Sequence, residues 1–248
     1  MSLDATSVAL IAASPFIGSF LAVAALRRDR TVLLGRSACD SCGASLTARD
    51  LVPLASFAVL RGRCRHCGAR IDPVHLVMEI GALVIALWAA FVTSGWIVAA
   101  SCALGWTLLT LGAIDWRTGL LPDVLTLPLA VVGLGVAYAV EPSVLLGHVI
   151  GAAAGFAVFA ALAEIYRRLR GRDGLGLGDA KLLGASGAWL GWSALPTVVL
   201  YAAFIGLALV LARRARGQPL QAADRLAFGP ALAAATWLVW LYGPLVPG

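Results

Sequence analysis

Charged residues are scarce in this 248-residue sequence: Asp, Glu, Lys and Arg make up 13% of it, whereas 60% of it is hydrophobic. Soluble domains carry about 25% charged and about 45–50% apolar residues. The composition therefore excludes both a soluble globular domain and a disordered chain. The sequence also lacks a basic face with interleaved aromatic residues, so its net charge of +6 does not indicate nucleic-acid binding.

Signals for a cleaved leader are missing from the first apolar run, 8-VALIAASPFIGSFLAVAAL-26. No basic region precedes it and no clear small-residue cleavage site follows, so we expect a retained helix with its N-terminus outside. Apolar runs near 20 residues long recur along the chain, and each predicts a membrane-spanning helix. The predicted spans are 8–26, 75–93, 96–114, 124–140, 145–166, 181–191, 196–212 and 226–243. The sixth is short, so it could be tilted, half-buried or joined to the seventh by a kink at Pro196.

The positive charges are confined to a few segments. All 19 Lys and Arg residues fall within 27–75, at Arg117, within 167–181 and within 213–225. With eight spans, these segments lie on one side of the membrane, and the opposite loops carry only Asp4 and Glu141. The positive-inside rule makes the basic side cytoplasmic, and the same charges favour contact with anionic lipid headgroups.

The chain divides into a first transmembrane helix (1–26), a polar insertion (27–74) and a helical membrane bundle (75–248). We therefore expect an all-α polytopic membrane protein with about eight transmembrane helices.

The insertion contains 39-CDSC-42 and 64-CRHC-67, each followed by a glycine. Two such knuckles offer four thiolates, Cys39, Cys42, Cys64 and Cys67, to a tetrahedral zinc ion with a structural role. Two disulfides, an empty site or a redox role are the alternatives, and a reducing cytosol disfavours disulfides. His66 could replace one ligand.

Two acids at the cytoplasmic edge of the membrane are candidates for catalysis. Asp115 ends the third span and Asp179 lies in 176-GLGD-179 at the start of the sixth. Ionisable groups within membrane segments are costly and usually functional. Two carboxylates that share a proton can activate a water and polarise a carbonyl, which is aspartic-protease chemistry and needs no metal.

The residues around Asp179 have functional and structural interpretations. Gly176 and Gly178 could adopt positive φ and let a substrate backbone come close. Asp179 could instead be the N-cap of its helix, and Asp123 is predicted to cap the fourth span. Lys181 could snorkel to the interface or pair with a carboxylate or a lipid phosphate.

The chain resembles the type IV prepilin peptidases, the GxGD class of membrane aspartic proteases. The resemblance rests on 18-GSFLAV-23, the cysteine knuckles, 60-LRGRCRHCG-68, 115-DWRTGLLPD-123, 176-GLGDAKLLGASGAWLGW-192 and 228-FGP-230. It implies a protein of the bacterial inner membrane with Asp115 and Asp179 as catalytic aspartates. The implied reaction removes the basic leader of prepilins or pseudopilins on the cytoplasmic side. The insertion accompanies members that also methylate the new N-terminus with S-adenosylmethionine.

Three departures from the family pattern concern the methyltransferase half. Ala22 replaces an asparagine, 27-RRDR-30 lacks the usual proline, and 74-VHLVME-79 lacks a tyrosine and a proline but keeps Glu79. Glu79 is therefore either a transferase-site residue or an acid at a helix start.

A non-catalytic scaffold that docks partners through the knuckles is the alternative function. A proton-coupled transporter is disfavoured, because both acids lie at one edge rather than at mid-membrane.

Overall fold

The computed structural model describes residues 4–26, 37–171, 176–217 and 228–245. The predictions for Arg27, Arg28, Arg30, Arg36, Arg172 and Arg225 concern residues outside these ranges. The described residues form nine α-helices, and the secondary structure within them is helical apart from two isolated β-bridges. The helices are α1 (Ala5–Leu26), α2 (Ala55–Val59), α3 (Pro73–Val92), α4 (Trp96–Thr118), α5 (Asp123–Val140), α6 (Leu145–Arg170), α7 (Leu177–Leu190), α8 (Leu195–Ala215) and α9 (Gly229–Tyr242).

The eight predicted spans correspond to α1 and α3 to α9, with each boundary within four residues of its expected place. Six of these helices in the described part of the chain are long and apolar enough to cross a membrane. The other two, α7 and α9, have 14 residues each. At 1.5 Å per residue they measure about 21 Å, less than the ~30 Å hydrocarbon core. Pro196 does not kink a continuous helix, because α7 ends at Leu190 and Pro196 lies in the first turn of α8.

The chain separates into two compact units, residues 1–110 and 111–248, with the division inside α4. In the first unit, α1 packs against α3. Gly18 permits this contact, because a Cβ there would lie 2.5 Å from the carbonyl oxygen of Met78. The indole of Trp106 on α4 donates to the carbonyl of Ala82 on α3 at 3.0 Å. The cysteine-bearing insertion belongs to this unit.

In the second unit, α7 is the central element. Ten of its 14 residues are buried, and α5, α6, α8 and α9 pack around it. Glycines let α6 and α7 approach closely, since a Cβ at Gly187 would lie 2.2 Å from the carbonyl oxygen of Gly151. The indole of Trp189 donates to Leu129 of α5 at 2.8 Å. The helix that carries Asp179 is therefore held on several sides by other helices.

Candidate functional site

The second unit brings Asp115 and Asp179 together from α4 and α7. Both carboxylates are buried, with 6% and 9% of their residue surface exposed, and their charges lie close enough to interact. Each accepts one backbone N–H at the start of a helix. Asp115 accepts from Gly229 of α9 at 3.1 Å, and Asp179 accepts from Gly176, the residue before α7, at 3.3 Å. Helix N-termini carry partial positive charge, so each of these main-chain donors faces its carboxylate favourably.

Asp179 is not the N-cap of α7. Gly176 occupies that position, and Asp179 is the third helical residue, whose carboxylate reaches back to the N-cap N–H. This is the acidic half of a capping box. Asp123 is likewise not a cap, because Pro122 is the N-cap of α5 and Asp123 follows it.

The prediction of positive φ for the two glycines beside Asp179 is wrong. Gly176 is extended, with φ −77° and ψ 144°, and Gly178 lies inside α7 and is not among the positive-φ residues. Space explains Gly178 instead, because a Cβ there would lie 3.0 Å from Cβ of Leu121.

Lys181 does not extend freely toward the interface. Its Nζ lies 2.5 Å from Oδ1 of Asp123, and this ion pair joins α7 near its start to the first residue of α5. Of the alternatives left by the sequence, pairing with a carboxylate is the one that the structure shows.

The four cysteines of the insertion converge as expected. Their sulfur atoms all lie within 4.8 Å of one another, and all four thiols are free. Cys39 Sγ and Cys67 Sγ are 3.9 Å apart, far beyond disulfide length. A tetrahedral ion with bonds of about 2.3 Å would hold its sulfurs roughly 3.8 Å apart. The cluster can therefore hold a metal ion, and it does not include the side chain of His66.

The two knuckles have the same backbone. In each, the first cysteine donates its N–H to the alanine five residues on, and the glycine donates back to that cysteine, with φ near +70°. Asp50 joins the segment that follows the first knuckle to the second knuckle. It accepts from the Thr47 hydroxyl at 2.7 Å and from Arg65 Nε at 2.8 Å, and these bonds lower its pKa to about 2.

Backbone donors also act on the thiols. The N–H groups of Cys42 and Ser41 lower the pKa of Cys39 to about 7. For Cys67 the N–H of Ala69 acts in the same direction, but burial and the three neighbouring thiols outweigh it and raise the pKa to about 11. A bound cation would relieve this crowding of negative charge, because metal ligation requires deprotonated thiols.

Glu79 does not lie at a helix start. Asp72 caps α3 by accepting the Val74 N–H at 2.9 Å, and Glu79 lies almost two turns further along the helix, 6% exposed. Its Oε2 accepts the N–H of Leu54 at 2.7 Å, and Leu54 has the unusual φ of +60°. Glu79 therefore ties the insertion to α3.

A cavity of about 350 Å³ opens beside Glu79 within the first unit. Its wall includes Phe20 of α1, Phe57 of α2 and the knuckle cysteines Cys39 and Cys64. The sequence did not predict this cavity, because its lining comes from several segments that are separate along the chain. The sequence also did not predict the hydrogen bonds that Gly229 and Leu54 donate to acidic side chains, although the Gly-Pro pair at 229–230 is typical of a helix start.

The fold and these sites define a multi-pass helical membrane protein with a buried aspartate pair and a separate cluster of four thiols. Two family descriptions match the chain: the type IV leader peptidase family over residues 102–211, and the bacterial peptidase A24 N-terminal domain over residues 13–93. The chain belongs to the type IV leader peptidase family.

Several curated relatives carry the name prepilin leader peptidase/N-methyltransferase, and three of them illustrate the range of similarity. The protein of Burkholderia pseudomallei strain 1026b is 46% identical over 203 residues, which are 80% of this chain and 64% of the relative. The protein of Aeromonas hydrophila is 41% identical over 86% of this chain and 73% of its own length. The protein of Neisseria gonorrhoeae is 35% identical over 82% and 70%. The match thus spans just under two thirds of the Burkholderia relative, and no solved structure matches this chain.

Proposed function

We propose that this protein is a prepilin peptidase that removes the basic leader of type IV prepilins or pseudopilins. The observation that carries the proposal is the buried pair of Asp115 and Asp179, whose charges interact and which each accept a main-chain N–H. The names of the relatives support the same substrate class.

The proposed hydrolysis uses the two carboxylates and one water. The ionised aspartate takes a proton from the water, whose oxygen attacks the carbonyl carbon of the scissile peptide. The protonated aspartate gives its proton to the carbonyl oxygen, so charge does not accumulate. Collapse of the tetrahedral species breaks the C–N bond, and the amine leaves with a proton from the pair. No metal is required for this sequence of steps.

We place the reaction at the cytoplasmic face of the bacterial inner membrane, with the N-terminus of the chain outside. The last turns of α4, α6 and α8 all carry arginine, and these turns would lie on the same side. Basic ends favour the cytoplasmic side and contact with anionic lipid. Asp115 lies in the last turn of α4, and Asp179 lies in the first turn of α7, which would begin on that side.

The peptidase proposal is tested by incubating the purified protein with a panel of prepilins and recording product masses. The wild type should remove the leader, and Asp115→Asn and Asp179→Asn should not. Asp123→Asn is the matched control, since Asp123 pairs with Lys181 outside the catalytic pair, and it should cleave. Normal cleavage by both site variants would overturn the mechanism. Failure of the wild type on every prepilin would favour the docking scaffold.

We further propose that the four cysteines hold a structural zinc ion. The separation of 3.9 Å between Cys39 Sγ and Cys67 Sγ fits tetrahedral thiolate ligation. Four sulfur ligands leave no open coordination position, so this ion would stabilise the insertion and not take part in hydrolysis.

A second activity, methylation of the new N-terminal amine, is favoured by the cavity beside Glu79. Its volume of about 350 Å³ falls in the range of small-molecule sites. S-adenosylmethionine, when bound, supplies a methyl group on a positively charged sulfur. Transfer to the amine nitrogen would break the bond between this methyl group and the sulfur, which would leave as a neutral thioether. The amine would release a proton, and we propose that the buried carboxylate of Glu79 accepts it. The aromatic rings of Phe20 and Phe57 offer apolar surface to a purine ring.

A trimmed prepilin peptide with a free N-terminus tests this activity without the peptidase step. The wild type and Asp179→Asn should both add one methyl group in the presence of S-adenosylmethionine, whereas Glu79→Gln should add none. Glu141→Gln, a change of the same kind at an exposed acid, should methylate normally. Full methylation by Glu79→Gln would remove Glu79 from the transferase site.

A further inference from the structure

The short turn 228-FGP-230 leads into α9 and meets the end of α4 in the second unit. We propose that Gly229 is a positioning residue that fixes the carboxylate of Asp115 in its reactive orientation. This inference rests on the proposed peptidase function, and it adds a requirement for a main-chain donor and for the absence of a side chain at this position.

The first observation is a hydrogen bond. The N–H of Gly229 donates to Oδ2 of Asp115 at 3.1 Å, in a buried setting and across 114 residues of sequence. Gly229 is the first residue of α9, so its N–H has no partner within the helix. Pro230 follows and has no N–H, which leaves Gly229 as the sole donor of the first two helical positions.

The second observation is space. A Cβ at Gly229 would lie 2.6 Å from Oδ2, 2.8 Å from Cγ and 3.1 Å from Cβ of Asp115. Carbon atoms do not approach carboxylate oxygens so closely, so any side chain here must displace the carboxylate or the turn. Gly229 is not among the positive-φ glycines, so backbone conformation is not the reason for glycine here.

The turn itself is held on both sides, so the carboxylate is the part that would move. The ring of Phe228 packs against Phe159 of α6, with centroids 6.3 Å apart. Pro230 lies 3.6 Å from the Cβ position of Gly112 on α4. Further along α9, the hydroxyl of Thr236 lies 2.7 Å from that of Ser186 on α7.

Gly176, the main-chain donor to Asp179, leaves enough room for a side chain. A Cβ at Gly176 would lie 3.5 Å from Oδ2 of Asp179, which is an ordinary contact. The two main-chain donors therefore differ: glycine is sterically required next to Asp115 and is not required at Gly176.

The first test compares three glycine-to-alanine variants in prepilin cleavage and thermal unfolding. Gly229→Ala should lower kcat by about 100-fold, the scale expected for a displacement near 1 Å, while KM and Tm change little. Gly187→Ala introduces a severe clash with Gly151 away from the aspartates, so it should lower Tm and leave the kcat of the folded fraction unchanged. Gly206→Ala has open space around its Cβ and should change neither quantity. Gly229→Ala with wild-type kcat would overturn the inference.

The second test keeps glycine at position 229, so its result does not depend on whether Gly229→Ala folds. Phe228–Gly229 is the one Phe–Gly pair in the sequence, so ¹³C-carbonyl Phe with ¹⁵N-Gly labelling isolates this amide by NMR. Asp115→Asn should shift its resonance, and Asp123→Asn should leave it in place. An amide unaffected by Asp115→Asn would overturn the inference. If the wild type cleaves no prepilin, the peptidase proposal fails while this contact is still tested.

Discussion

Nζ of Lys181 lies 2.5 Å from Oδ1 of Asp123, and this pair joins α7 near its start to the first residue of α5. The two side chains are 33% and 56% exposed, so water screens their attraction. Lys181 therefore forms an ion pair with a residue of α5 rather than with Asp115 or Asp179.

Lys181→Met should consequently retain activity. Exposed ion pairs contribute about 0–1 kcal/mol, so we expect a small loss of stability and a kcat within about threefold of the wild type. A double-mutant cycle with Asp123→Asn, read by thermal unfolding, should give a coupling within the same range. Loss of cleavage in Lys181→Met but not in Asp123→Asn would instead assign Lys181 to the chemistry.

Substitutions of the two glycines before Asp179 should differ in effect. Gly176→Ala is compatible with the extended backbone and meets only an ordinary contact, so cleavage should stay close to the wild-type rate. Gly178→Ala places a Cβ 3.0 Å from Leu121 Cβ and should reduce cleavage and Tm together. The measurement is cleavage rate beside thermal unfolding, and equal loss from both alanines would support the positive-φ interpretation that the structure contradicts.

Much of this architecture follows from local sequence. Apolar runs long enough to span a membrane predicted α1, α3, α4, α5, α6 and α8, and the CxxC-Gly spacing predicted the thiol cluster. The φ of Gly176 was not predictable, because it depends on which residue begins α7. Gly178 lies close to Leu121, and Gly229 donates a hydrogen bond to Asp115. Both contacts join residues that are distant in sequence, so no local sequence pattern predicts them. Two short helices, α7 and α9, span less than the hydrocarbon core, and most of their residues are buried against neighbouring helices.

The thiol cluster leads to a prediction about metal content. The wild type should bind one zinc ion per chain, whereas Cys42→Ser and Cys67→Ser should bind almost none, as measured by elemental analysis. Cys102→Ser is the matched control, because Cys102 is buried within α4 away from the cluster, and it should keep its zinc. Removal of zinc by a chelator should lower Tm and leave leader cleavage measurable. Equal zinc in all three variants would exclude the cluster as the site.

The Glu79–Leu54 bond leads to a prediction about stability. Glu79→Gln keeps an acceptor for the Leu54 N–H, whereas Glu79→Ala leaves that N–H unpaired at a cost of about 1–3 kcal/mol. Thermal unfolding should therefore rank the wild type and Glu79→Gln above Glu79→Ala. If all three unfold at the same temperature, Glu79 does not anchor the insertion.

The pairing of Asp115 and Asp179 is tested most directly by a cycle of kcat values for prepilin cleavage. The set comprises the wild type, Asp115→Asn, Asp179→Asn and the double variant, each confirmed as folded by thermal unfolding. Residues that act as one catalytic unit give strongly non-additive losses. We predict that each single variant falls to the same residual rate as the double variant. Independent losses that multiply in the double variant, or substantial cleavage by either single variant, would contradict the two-aspartate mechanism.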